Sequence, residues 1–450
     1  MKKVVIIGAS DVGISAALRI RELDDDIRPL VIANNAFPNF SICGIPFFLG
    51  GEVEKWQDLA HRDSEDIKDA GIDLMLETEV TDINPDKKLL KAVKDDGEEV
   101  EIEYDKLVLG TGGKTIVPPI EKIDLEEVFF MRWMEDSIKF DKYLKNNNPE
   151  SAVIVGGGYV GLEMTEALIR RGLEVTLVEF EDTVLNTVAE PFRRIVQKKL
   201  EDKGARIITG TAVESIEKKD DSLKVYGSND FELETDTVLI SIGTKPNTEL
   251  GEKAGIEIGD KGAFKVNKKM ETNIKDIYAG GDCVETLNAI NGEYTYYALG
   301  SIAHKHGRII GSNICGQDRE FAGALGTQSI KIFDTVIART GFDEKEAKEN
   351  GFEIVTAETS TWDHKIYYPP AYELQLKVVA DKNSGRILGA QILGNINAEV
   401  SKRIDIFASA IYNEMTIEEF SDLDLSYTPP LSSPWDPVQM VVQKLDKQNL

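Results

Sequence analysis

An apolar strand running into a glycine turn and then a helix occurs twice in this chain, 148 residues apart. The second copy is the fuller one. Ala152-Val153-Ile154-Val155 enters Gly156-Gly157-Gly158-Tyr159-Val160-Gly161, and Leu162-Glu163 begins a helix. In this spacing Gly156 permits the tight turn, Gly158 lets a pyrophosphate approach the backbone, and Gly161 lets helix and strand pack closely. Leu173-Glu174-Val175-Thr176-Leu177-Val178 then ends at Glu179, 18 residues past Gly161. A carboxylate there binds a ribose 2′-hydroxyl and repels a 2′-phosphate, so the expected ligand is NADH rather than NADPH.

The first copy reads Val4-Val5-Ile6-Ile7-Gly8-Ala9-Ser10-Asp11-Val12-Gly13. Gly8 and Gly13 keep the turn, while Ser10 stands where the middle glycine belongs. Its second strand, Pro29-Leu30-Val31-Ile32, ends in Ala33-Asn34, and Asn34 is a weaker ribose partner than an acid. Two such turns imply two nucleotides. At 450 residues, 42% hydrophobic, the chain is too long for one core and fits two or three folded domains.

Cys43 follows Gly13 by 30 residues, alone in Phe40-Ser41-Ile42-Cys43-Gly44-Ile45-Pro46. No second cysteine stands two or four residues away, so any redox role is that of a single thiol. Such chemistry asks for a thiolate, favoured by a nearby positive dipole. The other two cysteines, Cys283 and Cys315, read as ordinary thiols. Three dispersed cysteines suit a reducing compartment. No apolar run approaches a membrane span, and Met1-Lys2-Lys3 leads directly into the first strand, so a cytoplasmic location and no membrane partner are expected. A net charge of −27 argues against nucleic acid. The four histidines show no metal-ligand spacing, no metal is expected, and His304 and His306 read as helix surface.

Further small-residue turns follow strands at Leu109-Gly110-Thr111-Gly112-Gly113, Ile242-Gly243-Thr244-Lys245-Pro246-Asn247 and Ala279-Gly280-Gly281-Asp282-Cys283. In this order the motifs resemble the FAD- and pyridine-nucleotide-dependent disulfide reductases over essentially the whole chain. Ser41 to Gly50 resembles their single-cysteine branch, which includes coenzyme A disulfide reductases, NADH oxidases and peroxidases, and CoA-persulfide or polysulfide reductases. The resemblance implies an α/β fold with two Rossmann-like nucleotide-binding domains, for FAD and NAD, and an α+β dimerisation domain. Residues 1–113 and 247–322 would bind FAD, 114–246 NAD(P)H, and 323–450 would dimerise. It further implies that Asp282 and Thr111-Gly112 approach FAD, and that Tyr159 covers the flavin until NADH displaces it. His364-Lys365-Ile366-Tyr367-Tyr368-Pro369 and Leu425-Ser426-Tyr427-Thr428-Pro429-Pro430 resemble segments whose tyrosines reach the partner subunit's active site in a homodimer. Tyr427, with Tyr367 or Tyr368, would then protonate a departing thiolate or orient bound sulfur.

The expected activity is NADH-driven reduction of a small disulfide, persulfide or polysulfide through Cys43. The alternatives are an NADH oxidase or peroxidase using a Cys43 sulfenic acid, and a flavin redox sensor or electron-transfer protein. Departures from the branch bear on the choice. Its oxidases and peroxidases carry histidine where this chain has Asp11, which reads either as a helix-start residue or as a proton relay for the Cys43 pocket. Its CoA disulfide reductases carry arginine at the position of Glu22 and asparagine at that of Ile42, both on CoA. Glu22 would repel a CoA phosphate unless Arg19 and Arg21 compensate.

Overall fold

The computed structural model describes residues 2–446. Its first sheet has the order Ile277–Ala279, Lys106–Leu109, Val4–Ile7, Leu30–Ile32, Asp73–Met75, with every neighbour parallel. A parallel sheet is covered on both faces, which is why its central strand is an unbroken Val/Ile run with all four residues buried. The second sheet has the order Arg206–Ile208, Glu174–Val178, Ser151–Val155, Thr237–Ile240, Val128–Phe130, again parallel throughout. Each unit also carries a three-stranded antiparallel sheet. The two parallel sheets differ in where the edge strand beside Lys106–Leu109 or beside Thr237–Ile240 comes from. In the second it lies upstream, whereas in the first it lies beyond the whole second unit, so the first is completed only after the second is inserted. The two passes between units, Gly113–Thr115 and Thr244–Pro246, pair as an antiparallel ribbon. The boundaries expected at 113/114 and 246/247 fall on this ribbon.

A five-stranded antiparallel sheet follows, ordered Gln328–Ile332, Thr335–Gly341, Ile387–Asn395, Glu373–Asp381, Ile354–Trp362. Helices Val400–Tyr412 and Pro437–Asp446 pack on it, and Phe407 stacks on Phe420 in the core. The architecture is α/β with a third, α+β domain. Glu166, a buried carboxylate of the second unit, accepts from Lys331 Nζ at 2.8 Å and Phe333 N at 2.6 Å, which ties the third sheet to that unit. Pairing offsets the cost of burying that charge.

Two helix contacts set up the site. Helix Asp11–Leu23 lies against Gly300–Ile314, and a Cβ on Gly307 would come within 2.5 Å of Val12 O. The short helix Ile45–Leu49 lies against Tyr159–Arg170, where a Cβ on Gly50 would stand 3.1 Å from Ala167 Cα. The first contact brings Asp11 to His304. The second brings Cys43 toward Glu163.

Candidate active site

Both glycine turns adopt one geometry. Gly8 and Gly156 each have φ +108°, a left-handed conformation that favours glycine. A Cβ on Gly13 would overlap the Gly8 carbonyl oxygen, and one on Gly161 the Gly156 carbonyl oxygen, so both close the turn against its own backbone. Gly158 differs. It has φ −79°, and a Cβ there would meet nothing, so the protein itself does not require glycine at this position. A dinucleotide pyrophosphate at the N-terminus of helix Tyr159–Arg170 would.

Glu179 stands at the end of its strand as expected, with Oε2 accepting from Gly157 N at 2.5 Å and Oε1 from Glu181 N at 2.8 Å. The same carboxylate thus braces the turn. Tyr159 is half-buried, and its hydroxyl accepts from Thr187 Oγ1 at 3.0 Å.

At the first turn a cleft of about 480 Å³ runs past Gly8, Ser10, Asn34 and Thr111 to Ile42 and Trp133. Thr111 Oγ1 donates to Asn247 O at 2.6 Å, and Gly112 takes φ +66°. Asn35 and Asn39, which sequence reading passed over, also line the cleft, and each has a buried Oδ1 without a hydrogen-bond partner. Buried polar atoms of native proteins are normally satisfied, so these two fit a polar ligand such as FAD. Asp282 does not line the cleft. Its Oδ2 accepts from Arg132 Nη2 at 2.7 Å, and Arg132 Nε is a third buried orphan. No motif marks Arg132; only the fold joins it to an acid 150 residues away.

Cys43 lies in the 3-10 turn Ile42–Gly44, next to a packed cluster of Phe37, Phe40 and Trp56. It is exposed by surface, yet enough protein surrounds its sulfur that loss of water is the main influence on it. That desolvation pushes the thiol above its ordinary range. Glu163, Asp11 and Asp282 push it further, and Arg132 opposes them. Within the chain, burial and carboxylates thus oppose the thiolate, and Arg132 is the cation among the main influences that favours it. Glu163 itself is pushed up to about 7 by burial first and by Glu166 second. Because a neighbouring carboxylate disfavours the thiolate, Glu163→Gln is expected to lower the Cys43 pKa. Iodoacetamide alkylation at neutral pH should then speed up several-fold, and its midpoint against pH should move down. An unmoved midpoint would show that Glu163 does not act on the thiol.

The tail tyrosines share one face. Tyr367, Tyr368 and Tyr427 are 70%, 51% and 46% exposed, and Lys365 N donates to Pro429 O at 3.3 Å, joining their two loops. The buried His364 anchors the first loop, with Nδ1 2.9 Å from Asp363 Oδ1 and Nε2 2.8 Å from Tyr368 O. Large exposed apolar side chains clustered in this way mark an interaction surface.

Cys283 is fully buried, its thiol donating to Gly280 O at 3.2 Å, and Cys315 is half-buried. His304 sits on a helix surface as expected, but His306 does not. It is buried beneath Phe321 and accepts from Gly281 N through Nδ1, and burial lowers its pKa to about 3. Among the described residues no three His, Cys, Asp or Glu side chains gather to hold a metal ion, and no helix is long and apolar enough to cross a membrane.

Comparison with known proteins agrees with this geometry. Residues 2–307 match the pyridine nucleotide-disulphide oxidoreductase model and residues 327–437 the dimerisation domain of the same family. An NADH oxidase of Methanocaldococcus jannaschii is 35% identical, covering 98% of both chains. A CoA-dependent NAD(P)H sulfur oxidoreductase of Pyrococcus furiosus is 36% identical, covering 99% of both. Among solved structures, an NAD-dependent persulfide reductase from A. fulgidus superposes with TM-score 0.95 at 37% identity, covering 99% of this chain and 83% of that one. The chain belongs to the pyridine nucleotide-disulphide oxidoreductase family.

Proposed function

We propose that this chain is a flavin-dependent NAD(P)H oxidoreductase that reduces a small persulfide, polysulfide or disulfide through Cys43. The observation that carries this is the placement of a single reachable thiol between the first-turn cleft and the helix of the second turn. FAD in the cleft and a nicotinamide dinucleotide on the second turn would together supply a pair of electrons to that thiol. Gly8, Ser10, Gly13, Asn34, Thr111 and Gly112 are assigned to FAD, with Asp282 released from Arg132 to join them. Gly156, Gly158, Gly161 and Glu179 are assigned to NADH, which Glu179 favours over NADPH. Tyr159 would stand between the two sites. Tyr367, Tyr368 and Tyr427 are assigned to the partner subunit's Cys43 site in a homodimer, which accords with their exposure on a domain of the dimerising type.

Within the sulfur class, Arg19 and Arg21 are both engaged inside the chain. Arg19 donates to Glu22 at 2.8 Å and to Ser312 at 3.0 Å, while Arg21 donates to the carbonyls of Asp25 and Ile27. Arg19 and, at 3.5 Å, Arg308 thus already offset Glu22, so what favours a persulfide or polysulfide over CoA disulfide is Ile42, which offers CoA no hydrogen bond. The test is NADH consumption by the FAD-loaded enzyme with inorganic polysulfide, CoA disulfide and oxygen in turn. Polysulfide is expected to give the highest kcat/KM. Turnover with oxygen alone would replace this reading by that of an NADH oxidase, as the M. jannaschii relative is named.

A further inference from the structure

Tyr159 is the first residue of the helix that follows the second glycine turn, and its ring packs on the apolar cluster that Phe40 and Ile42 of the Cys43 segment also join. Among the described residues its hydroxyl has one hydrogen-bond partner, the hydroxyl of Thr187 at 3.0 Å. Thr187 is exposed, yet the segment around it is fixed at three points. Leu185 N donates to Gly157 O at 2.9 Å, which ties the segment to the glycine turn itself. Arg339 Nη1 donates to Thr187 O at 2.6 Å, and Ala189 N donates to Gln391 Oε1 at 2.7 Å. Arg339 and Gln391 both belong to the third domain, where they stand directly opposite each other on the paired strands Thr335–Gly341 and Ile387–Asn395. They are 8% and 5% exposed. The remaining donors of the Arg339 guanidinium reach Gly341 O at 3.0 Å and Glu346 Oε2 at 2.5 Å.

A buried guanidinium or amide is costly unless its hydrogen bonds are made. Arg339 and Gln391 direct theirs to the Thr187 carbonyl and the Ala189 amide, so this stretch of backbone cannot drift. The Thr187 hydroxyl is thereby set at a fixed place beside the helix start. The tyrosine hydroxyl is held by that single neutral contact. Such a hydrogen bond, exchanged for ones to water, has a small net worth. Of all these contacts, the one between Thr187 and Tyr159 is therefore the first to yield. We propose that Thr187 is the latch of Tyr159, set by Arg339 and Gln391 of the third domain, and that a nicotinamide dinucleotide passes Tyr159 by breaking this one hydrogen bond. The proposal rests on the reading of Tyr159 as standing between the two nucleotide sites.

Two consequences follow from this arrangement. A ligand that binds only the unlatched form has its affinity reduced by the fraction of molecules unlatched, so the latch weakens NADH binding. In return, the ring stays between the two sites whenever no dinucleotide is bound, and oxygen is kept from the flavin. When the ring moves aside, the Thr187 hydroxyl turns to solvent, which its exposed position allows. Because Arg339 and Gln391 lie on the third sheet, that domain acts on NADH affinity through Thr187 and without touching the dinucleotide. Arg339, Gln391 and Thr187 are positioning residues in this scheme.

The test uses full-length FAD-loaded enzyme carrying Thr187→Val, Tyr159→Phe, Gln391→Met or Tyr159→Ala. The ligand is tetrahydro-NADH, which cannot transfer hydride, so calorimetry reads its affinity apart from activity. Oxygen reoxidation of the dithionite-reduced enzyme, without nucleotide, is followed alongside. Thr187→Val and Tyr159→Phe are each expected to tighten the analogue about fivefold, and the double variant no further, because both remove the same hydrogen bond. Gln391→Met is expected to tighten it about twofold in the wild-type background and not at all when combined with Thr187→Val. Tighter binding is not a result that a damaged fold produces. Affinity at or below that of wild type in either Thr187→Val or Tyr159→Phe would overturn the latch. An effect of Gln391→Met that is equal in both backgrounds would overturn the part given to the third domain. Tyr159→Ala is expected to speed reoxidation several-fold. Reoxidation at the wild-type rate in that variant would remove the underlying reading of Tyr159, an outcome distinct from the other two.

Discussion

Cys43→Ser is expected to abolish NADH-driven reduction of polysulfide, by on the order of 10³-fold or more, while leaving reduction of ferricyanide at the wild-type rate. The asymmetry follows from where the residue sits. Ferricyanide accepts single electrons and needs no thiol, so it reports only the two nucleotide sites. Polysulfide reduction needs a nucleophilic sulfur to hold the substrate, and a hydroxyl in the same place is a far weaker nucleophile. Cys43 is exposed and makes no core contact that serine would lose, so folding should be unaffected. Equal loss of both activities would point to a damaged cofactor site. Equal retention would make the chain an electron carrier, with Cys43 a bystander.

The parts of this arrangement legible in the sequence are those set by local sterics. Gly13 and Gly161 answer to a carbonyl five residues back, and Gly8 and Gly156 to their own positive φ, so the turns and their helices could be placed from spacing alone. Glu179 is legible for the same reason, since one strand length fixes its distance from the turn. Cys43 stood out because no second cysteine accompanies it. What the sequence did not disclose depends on contacts between distant segments. Glu163 reaches the neighbourhood of Cys43 only because Ile45–Leu49 docks on Tyr159–Arg170, and there it opposes the thiolate. Arg132 meets Asp282 across the inserted unit. His306 lies two residues from His304 but faces inward, under a phenylalanine from the following segment. Asp11 looked like a helix-start residue until helix Gly300–Ile314 brought His304 to it.

The contrast between Gly158→Ala and Gly161→Ala is the sharpest test of the second turn. Gly161→Ala places a methyl group on the Gly156 carbonyl oxygen, and backbone cannot swing aside as a side chain can. The expected cost is about 3 kcal/mol or more, read as a lowered melting temperature together with loss of NADH binding. Gly158→Ala introduces the same methyl group into open space at an ordinary φ of −79°. The fold should not register it, and the melting temperature should match wild type. A bound pyrophosphate would register it, because the methyl stands where the phosphates approach the helix N-terminus. NADH affinity should fall at least tenfold, equivalent to about 1.4 kcal/mol, with no loss of stability. An alanine at 158 that leaves NADH affinity intact would mean that the dinucleotide does not lie across this turn, and the assignment of Glu179 to its ribose would go with it.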